Sequence, residues 1–133
     1  MAAKTMDSKI LIIDDDVTMS ELLKALLSLD GFDAETLEVS GELTEMVKAV
    51  KKIQPNLILC DVNLRDLDGF ELLRLLRTQP ELNQTSVLMS SGMDFSHKCY
   101  QEKADGFILK PYMPDDLTHK IHKMLSVKPD QIE

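Results

Sequence analysis

Short apolar runs alternate with helical periodicity along this chain. Runs that are hydrophobic throughout are typical of strands buried on both faces of a parallel sheet. A further strand, within Asp33–Val39, carries charge and is expected at the edge of the sheet. The four apolar runs predicted as buried strands are Lys9–Ile13, Leu57–Asp61, Val87–Ser90 and Gly106–Leu109.

The segments between the runs predict five helices. The first is expected over Val17–Leu29, with Leu22, Leu26 and Leu29 along its buried stripe and Asp30-Gly31 ending it. The others are a second helix capped by Ser40 and running to Ile53, a third from Asp68-Gly69 to about Thr78, a short fourth over Ser96–Lys103, and a fifth that starts near Pro114-Asp115. Alternating strands and helices predict a three-layer α/β/α sandwich.

The composition limits the classes of function. At 133 residues and 44% hydrophobic content the chain fits one globular domain. A net charge of −8 argues against this domain binding nucleic acid directly. No apolar stretch is long enough to span a membrane, and the first residues lack a secretory segment, so we expect the cytoplasm. Residues 1–8 are interpreted as a flexible lead, 9–127 as the domain, and 128–133 as a tail or the start of a linker.

The candidate chemistry lies where the predicted strands end. Asp14 and Asp15 follow the first run, Asp61 ends the second, and Lys110 follows the last. In parallel sheets ligand sites gather at the carboxyl ends of the strands. Carboxylates brought together repel one another unless a cation lies among them, and Mg²⁺ suits a few carboxylate oxygens and water. The alternative is that Asp14–Asp16 only cap the next helix, with Asp16 exposed.

Asp61 is the predicted nucleophile, because a carboxylate can carry a phosphoryl group as an acyl phosphate. Its alternative is an aspartate that caps a turn. Lys110 could neutralise phosphoryl oxygens and Ser91, which follows the fourth predicted strand, could donate its hydroxyl to one. Taken alone, Lys110 would be interpreted as a solvated lysine, so the prediction depends on the whole set.

These residues, in this order, resemble the receiver domain of two-component response regulators over Lys9–Val127. The resemblance implies a flavodoxin-like strand order 2-1-3-4-5. It implies phosphorylation of Asp61 by a sensor histidine kinase or a phosphotransfer protein, with Mg²⁺ as cofactor. The implied Mg²⁺ ligands are Asp15, Asp61, the main-chain carbonyl of Asn63 and, through water, Asp14. The implied switch residues are Ser91 and Phe107, which would alter the face formed by the fourth helix, fifth strand and fifth helix.

Several positions depart from the family pattern. Arg65 stands where proline is usual, and Gly92 stands where alanine is usual after the switch hydroxyl. Phe107 lacks the hydroxyl of a tyrosine, so its ring can be buried without stranding a polar group. The segment from Ser91 to Lys110 is about one helical turn short, which bears on the fourth helix and on any homodimer built on it.

Two other functions remain open from the sequence. One is a receiver-like interaction module that works without phosphorylation. The other is an aspartate-nucleophile phosphohydrolase, but such enzymes use a second acid two residues after the nucleophile, where this chain has Asn63. In the leading interpretation the protein is not an enzyme beyond its own phosphorylation and dephosphorylation. Its other partner is a downstream target protein or an output domain, and no membrane is involved.

Overall fold

A computed structural model describes residues 8–126 of the chain. Its main sheet has five parallel strands in the order β2-β1-β3-β4-β5, which confirms the predicted α/β/α sandwich and its flavodoxin-like order. The strands are β1 Lys9–Ile13, β2 Asp33–Leu37, β3 Leu57–Asp61, β4 Ser86–Ser91 and β5 Gly106–Leu109. Apart from Ser8, the predicted lead and tail lie outside the described residues.

Five helices cover the two faces of the sheet. They are α1 Val17–Leu29, α2 Leu43–Ile53, α3 Gly69–Arg77, α4 Ser96–Gln101 and α5 Pro114–Ser126. Helices α1 and α5 pack on one face and α2, α3 and α4 on the other. Along β1, Ile10 and Ile12 belong to the first core and Leu11 and Ile13 to the second, and all four are 0% exposed. Alternate strand residues therefore fill both cores, which explains the continuous apolar runs.

The predicted buried stripe of α1 is wrong. Leu22 is 62% exposed and Leu29 is 89% exposed, whereas Leu23 and Leu27 are buried. Leucines occur at helical spacing in two registers of this helix, and both satisfy the same periodicity. Packing against the sheet selects one register, which the helix's own sequence does not specify.

Two helix ends also differ from prediction. Glu42, not Ser40, is the N-cap residue of α2. Gly41 between them has a left-handed φ of 89°, so the Ser40 hydroxyl accepts a hydrogen bond from the Glu42 N–H outside the helix. Helix α4 ends at Gln101 instead of Lys103, which has φ 68° and cannot continue a right-handed helix.

Two arginines of α3 hold the segment after α4. Arg74 makes two hydrogen bonds to the Glu102 carboxylate, at 2.9 and 3.0 Å. Arg77 donates to the Asp105 carboxylate at 2.5 Å, and the same carboxylate oxygen accepts from the Val87 N–H at 2.8 Å. The C-terminal end of the short α4 is therefore tied to both α3 and the sheet.

Replacing Leu23 by alanine should lower the free energy of unfolding by about 2–5 kcal/mol, because the side chain is buried against the sheet. The matched variant Leu22→Ala changes the neighbouring, exposed leucine and should stay within about 0.5 kcal/mol of the parent. Urea denaturation of the two variants checks this. A larger loss in Leu22→Ala would mean that α1 packs in the register expected from the sequence.

Candidate metal and phosphoryl site

The parallel register brings the candidate residues to one edge of the sheet. Asp61 is the last residue of β3, and Asp14 directly follows β1. Ile13 pairs with Cys60 in the sheet. The residues that follow these two, Asp14 and Asp61, therefore lie side by side. On the other side of β3, Ser91 ends β4 and pairs with Leu109, the residue before Lys110. Strand order and register together account for the convergence.

Three carboxylates meet at this edge. One oxygen each from Asp14, Asp15 and Asp61 lies within 4.8 Å of the others. Asp14 and Asp61 are buried, at 7% and 9% exposure, and Asp15 is partly exposed. A set of hard oxygen donors with one solvent-facing member fits a cation that keeps several waters, as Mg²⁺ does. Asp16, in contrast, caps α1 by accepting from the Met19 N–H at 3.1 Å.

Lys110 bridges two of these acids. Its ammonium lies 3.0 Å from Asp61 Oδ2 and 3.2 Å from Asp14 Oδ2. Burial alone would lower the pKa of Lys110, but the contacts with Asp61 and Asp14 outweigh burial, and its pKa is raised. The lysine is therefore held in its charged form. The peptide bond between Lys110 and Pro111 is cis.

The Asp61 carboxylate is in a different balance. Burial raises the pKa of Asp61, with a smaller contribution from the Asp14 charge, against the lowering effects of Lys110 and the Asn63 N–H. That N–H donates to Asp61 Oδ1 at 3.2 Å. Ionised Asp61 is thus less well solvated than a free carboxylate, and an added cation would stabilise it.

The loop after Asp61 leaves little room for change. Asn63–Leu64 and Leu67–Asp68 form a short antiparallel hairpin, and the Gly69 N–H donates to the Val62 carbonyl at 2.7 Å. A Cβ atom at Gly69 would collide with the main-chain carbonyl of Asp61. Glycine is required here because α3 begins against the backbone of the candidate nucleophile.

Ser91 and Phe107 lie on the two strands beyond β3 in the sheet order, β4 and β5. The Ser91 hydroxyl is buried and accepts a hydrogen bond from the Met93 N–H at 3.1 Å. Phe107 pairs across the sheet with Met89, is half-buried, and packs against the core beneath α2, α3 and α4. Ser91 thus ends its strand at the same edge of the sheet as Asp61, whereas Phe107 lies two residues before the end of β5. The switch roles of both residues remain predictions, as does metal binding by the Asn63 carbonyl.

One neighbour of the site was not predicted. The Arg65 guanidinium donates to the main-chain carbonyl of Asp15 at 3.2 Å, and its Nε lies 3.9 Å from Asp15 Oδ2. The sequence identified Arg65 only as a departure from the family pattern. The contact depends on the hairpin turn and on the approach of two loops whose residues, Asp15 and Arg65, are 50 positions apart in the sequence. No pattern in the neighbouring sequence predicts it.

Comparison with known proteins decides the family. The family model for the response regulator receiver domain matches residues 10–122, which is most of the chain. The chain belongs to this family. The predicted resemblance is thereby confirmed, and the receiver domain is placed in two-component signalling.

Relatives of the receiver domain include longer regulators. The DNA-binding response regulator MtrA of Mycobacterium tuberculosis H37Rv is 29% identical over 129 residues, covering 96% of this chain and 54% of MtrA. The cell cycle transcriptional regulator CtrA of Caulobacter vibrioides NA1000 is 29% identical over 119 residues, covering 88% of this chain and 50% of CtrA. The chain therefore spans about half the length of the curated relatives it matches.

Solved structures agree with the architecture. A response regulator receiver domain from Bermanella marisrubri has a TM-score of 0.79 and 26% identity, covering 90% of this chain and 98% of that one. The chemotaxis response regulator CheY4 of Vibrio cholerae has a TM-score of 0.78 and 24% identity, covering 89% and 98%, and supports the fold alone. Within residues 8–126, no helix combines the length and apolar character that crossing a membrane would require.

Gly69→Ala should destabilise the receiver domain by about 1–3 kcal/mol, since the added methyl group meets main-chain atoms that cannot turn aside. The control is Gly92→Ala, where nothing lies within 4 Å of the added Cβ. That variant should be neutral or more stable by up to about 1 kcal/mol. Thermal denaturation distinguishes the two, and equal effects would contradict the close approach at Gly69.

Asp61→Asn should stabilise the receiver domain at neutral pH in chelator, with the gain shrinking as the pH falls towards the ordinary pKa of an aspartate. Burial raises the pKa of Asp61 in the folded state above its value in the unfolded chain. At pH values between these two pKa values, the folded protein therefore binds more protons than the unfolded chain. The free energy of unfolding therefore falls as the pH rises through this range. Asp61→Asn has no ionisable carboxyl group at this position and avoids the loss.

Denaturation at several pH values measures the effect. Asp66→Asn removes the same charge from an exposed position of the same hairpin and should show no comparable pH-dependent gain. A loss of stability in Asp61→Asn at neutral pH would contradict the expected cost of ionising Asp61.

Proposed function

We propose that the receiver domain is a phosphoacceptor switch of a two-component phosphorelay, phosphorylated on Asp61. The observation that carries the proposal is the contact of Lys110 with Asp61 and Asp14, beside a third carboxylate from Asp15. A carboxylate between an ammonium and an oxygen-rich cation site can receive a phosphoryl group whose charge is neutralised on both sides.

The three acids fit the cofactor that the family implies. Asp15 and Asp61 would hold Mg²⁺ directly, the main-chain carbonyl of Asn63 would add a ligand, and Asp14 would contribute through water. When bound, Mg²⁺ would supply charge neutralisation for the phosphoryl oxygens. Removing bound cation should therefore stop phosphorylation without unfolding the domain.

The transfer step uses this chain's own carboxylate. An oxygen of ionised Asp61 attacks the phosphorus of a phosphohistidine on the kinase or phosphotransfer protein, and the phosphorus–nitrogen bond breaks. The ring nitrogen keeps the electron pair of that bond, the histidine leaves as neutral imidazole with one proton on its ring, and Asp61 becomes an acyl phosphate. Lys110, already 3.0 Å from Asp61 Oδ2, is placed to follow the charge onto a phosphoryl oxygen.

The switch follows from the new charge. Phosphorylation adds about −1.5 to −2 charges and strong acceptor oxygens at Asp61. Ser91 would exchange its Met93 N–H partner for a phosphoryl oxygen, drawing in the loop after β4. The ring of Phe107 would then occupy the space near Ser91, and the face formed by α4, β5 and α5 would change shape.

The partners are proposed by class. A sensor histidine kinase or a phosphotransfer protein would supply the phosphoryl group, in the cytoplasm. MtrA is by name a DNA-binding regulator and CtrA a transcriptional one, and a comparable output domain or a separate target protein would read the switch here. The acidic charge of −8 argues that this domain itself does not hold nucleic acid. A homodimer through the α4–β5–α5 face would be restricted by the short α4.

An interaction module that needs no phosphate is the second candidate. It is favoured by the partial neutralisation of the site, in which Lys110 contacts Asp14 and Asp61 while Arg65 contacts Asp15. Such a site could persist as a structural feature of the edge. The phosphohydrolase alternative is weaker, because Asn63 stands two residues after the nucleophile and is no acid.

Intact mass after incubation with acetyl phosphate and Mg²⁺ tests the proposal. The parent protein should gain one phosphoryl group that is stable in acid and lost in base, as an acyl phosphate is. Asp61→Asn should gain none, because an amide cannot serve as the nucleophile. Chelation of Mg²⁺ should abolish the gain in the parent.

The matched control is Asp66→Asn, which removes an exposed carboxylate from the same loop and should be phosphorylated like the parent. Labelling of Asp61→Asn to the parent's extent would refute the assignment of the acceptor. A folded parent that gains no phosphoryl group would favour the interaction module. Continuous release of phosphate from small esters would favour the phosphohydrolase.

A further inference from the structure

Arg65 occupies a turn that the usual proline could not form. It lies in the hairpin between Leu64 and Leu67 with φ 60°, in the left-handed region. The proline ring fixes φ near about −65°, so proline is excluded from this backbone. A left-handed φ is also unfavourable for a residue other than glycine. The turn with Arg65 therefore differs in backbone conformation from any turn with proline at this position. In this turn the Arg65 side chain reaches the loop between β1 and α1, where it contacts Asp15.

With the contact of Arg65, each of the three carboxylates has a cationic neighbour. Lys110 contacts Asp14 and Asp61, whereas Arg65 contacts Asp15, the carboxylate that Lys110 does not contact. Three carboxylates thus contact two internal cations, which leaves one negative charge for an added cation to neutralise. Asp15 is also the partly exposed member of the three acids, whereas Asp14 and Asp61 are buried.

Other acidic side chains line the cleft in which Arg65 meets Asp15. This cleft of about 300 Å³ is lined by Arg65 and Asp15 and also by two exposed glutamates, Glu21 and Glu38. The Arg65 side chain is 70% exposed, so little packing opposes its movement from Asp15 towards these acids. The guanidinium can leave Asp15 without losing every anionic neighbour.

We propose that Arg65 is an internal competitor for the divalent cation: it occupies Asp15 when the site holds no metal and withdraws when Mg²⁺ binds. It thereby sets the metal affinity of the receiver domain. The inference rests on the proposed function only in that the acids bind a divalent cation, and it does not depend on phosphorylation. Arg65 is a residue that tunes the site and is not itself a predicted ligand or nucleophile.

Calorimetric titration with Mg²⁺ alone, at low ionic strength and without phosphodonor, tests the proposal. Arg65→Gln removes the charge and keeps a hydrogen-bonding side chain, and Arg65→Gly removes the charge and relieves the left-handed backbone. Both should lower the Kd for Mg²⁺ by about threefold to tenfold, since a partly screened charge near Asp15 no longer opposes the cation. Added salt should narrow the difference from the parent.

The matched control is Lys52→Gln, which makes the same change in net charge at an exposed position in the last turn of α2. Its Kd should stay within about twofold of the parent, because distant exposed charges are screened. Equal or weaker binding in both Arg65 variants, with binding intact in the parent, would overturn the inference alone and would indicate that Arg65 positions Asp15. No binding in any variant would overturn both the inference and the proposed metal site. Circular dichroism shows whether each variant is folded.

Discussion

Repulsion among three carboxylates is the constraint on which the carboxyl edge of this sheet depends. Asp14 and Asp61 are largely removed from water, and one oxygen of each lies within 4.8 Å of Asp15. Such an arrangement is costly unless positive charge is supplied at the same place. The fold supplies it through the strand that lies two places from β3, since β5 ends directly before Lys110. The strand order is thus also an electrostatic requirement.

The strands, the residues at their ends and the layers of the fold could be predicted from the sequence. These features depend on local patterns or on patterns that repeat along the chain. Continuous apolar runs identify strands that are covered on both faces, and the residues at their ends follow from the same runs. The order 2-1-3-4-5 came from the family resemblance instead, because alternation of strands and helices fixes the layers but not the order of the strands. Where two solutions satisfied one pattern, as with the leucines of α1, prediction selected the exposed register. Only packing against Ile10, Ile12 and their neighbours distinguishes the two.

The features that escaped prediction are contacts between distant segments. Gly69 could be read as the start of a helix, but its closeness to the Asp61 carbonyl depends on how α3 approaches β3. Arg65 could be noted as unusual, but its direction depends on a left-handed turn that few non-glycine residues adopt. In both cases the residue type is visible in the sequence while its reason lies in a backbone conformation. Such positions are where local rules give way to the needs of a site.

The two ends of the short α4 are held with different firmness. At the C-terminal end, Arg74 and Arg77 tie Glu102 and Asp105 to α3. At the N-terminal end, Gly92 has open space around its Cβ position, and Met93 is exposed. Little packing at Gly92 and Met93 would oppose a displacement of Ser91, whereas Phe95, at the start of α4, packs edge-on against Phe70. The displacement proposed for Ser91 would therefore be taken up at Gly92 and Met93, before the point where Phe95 anchors α4 to the core.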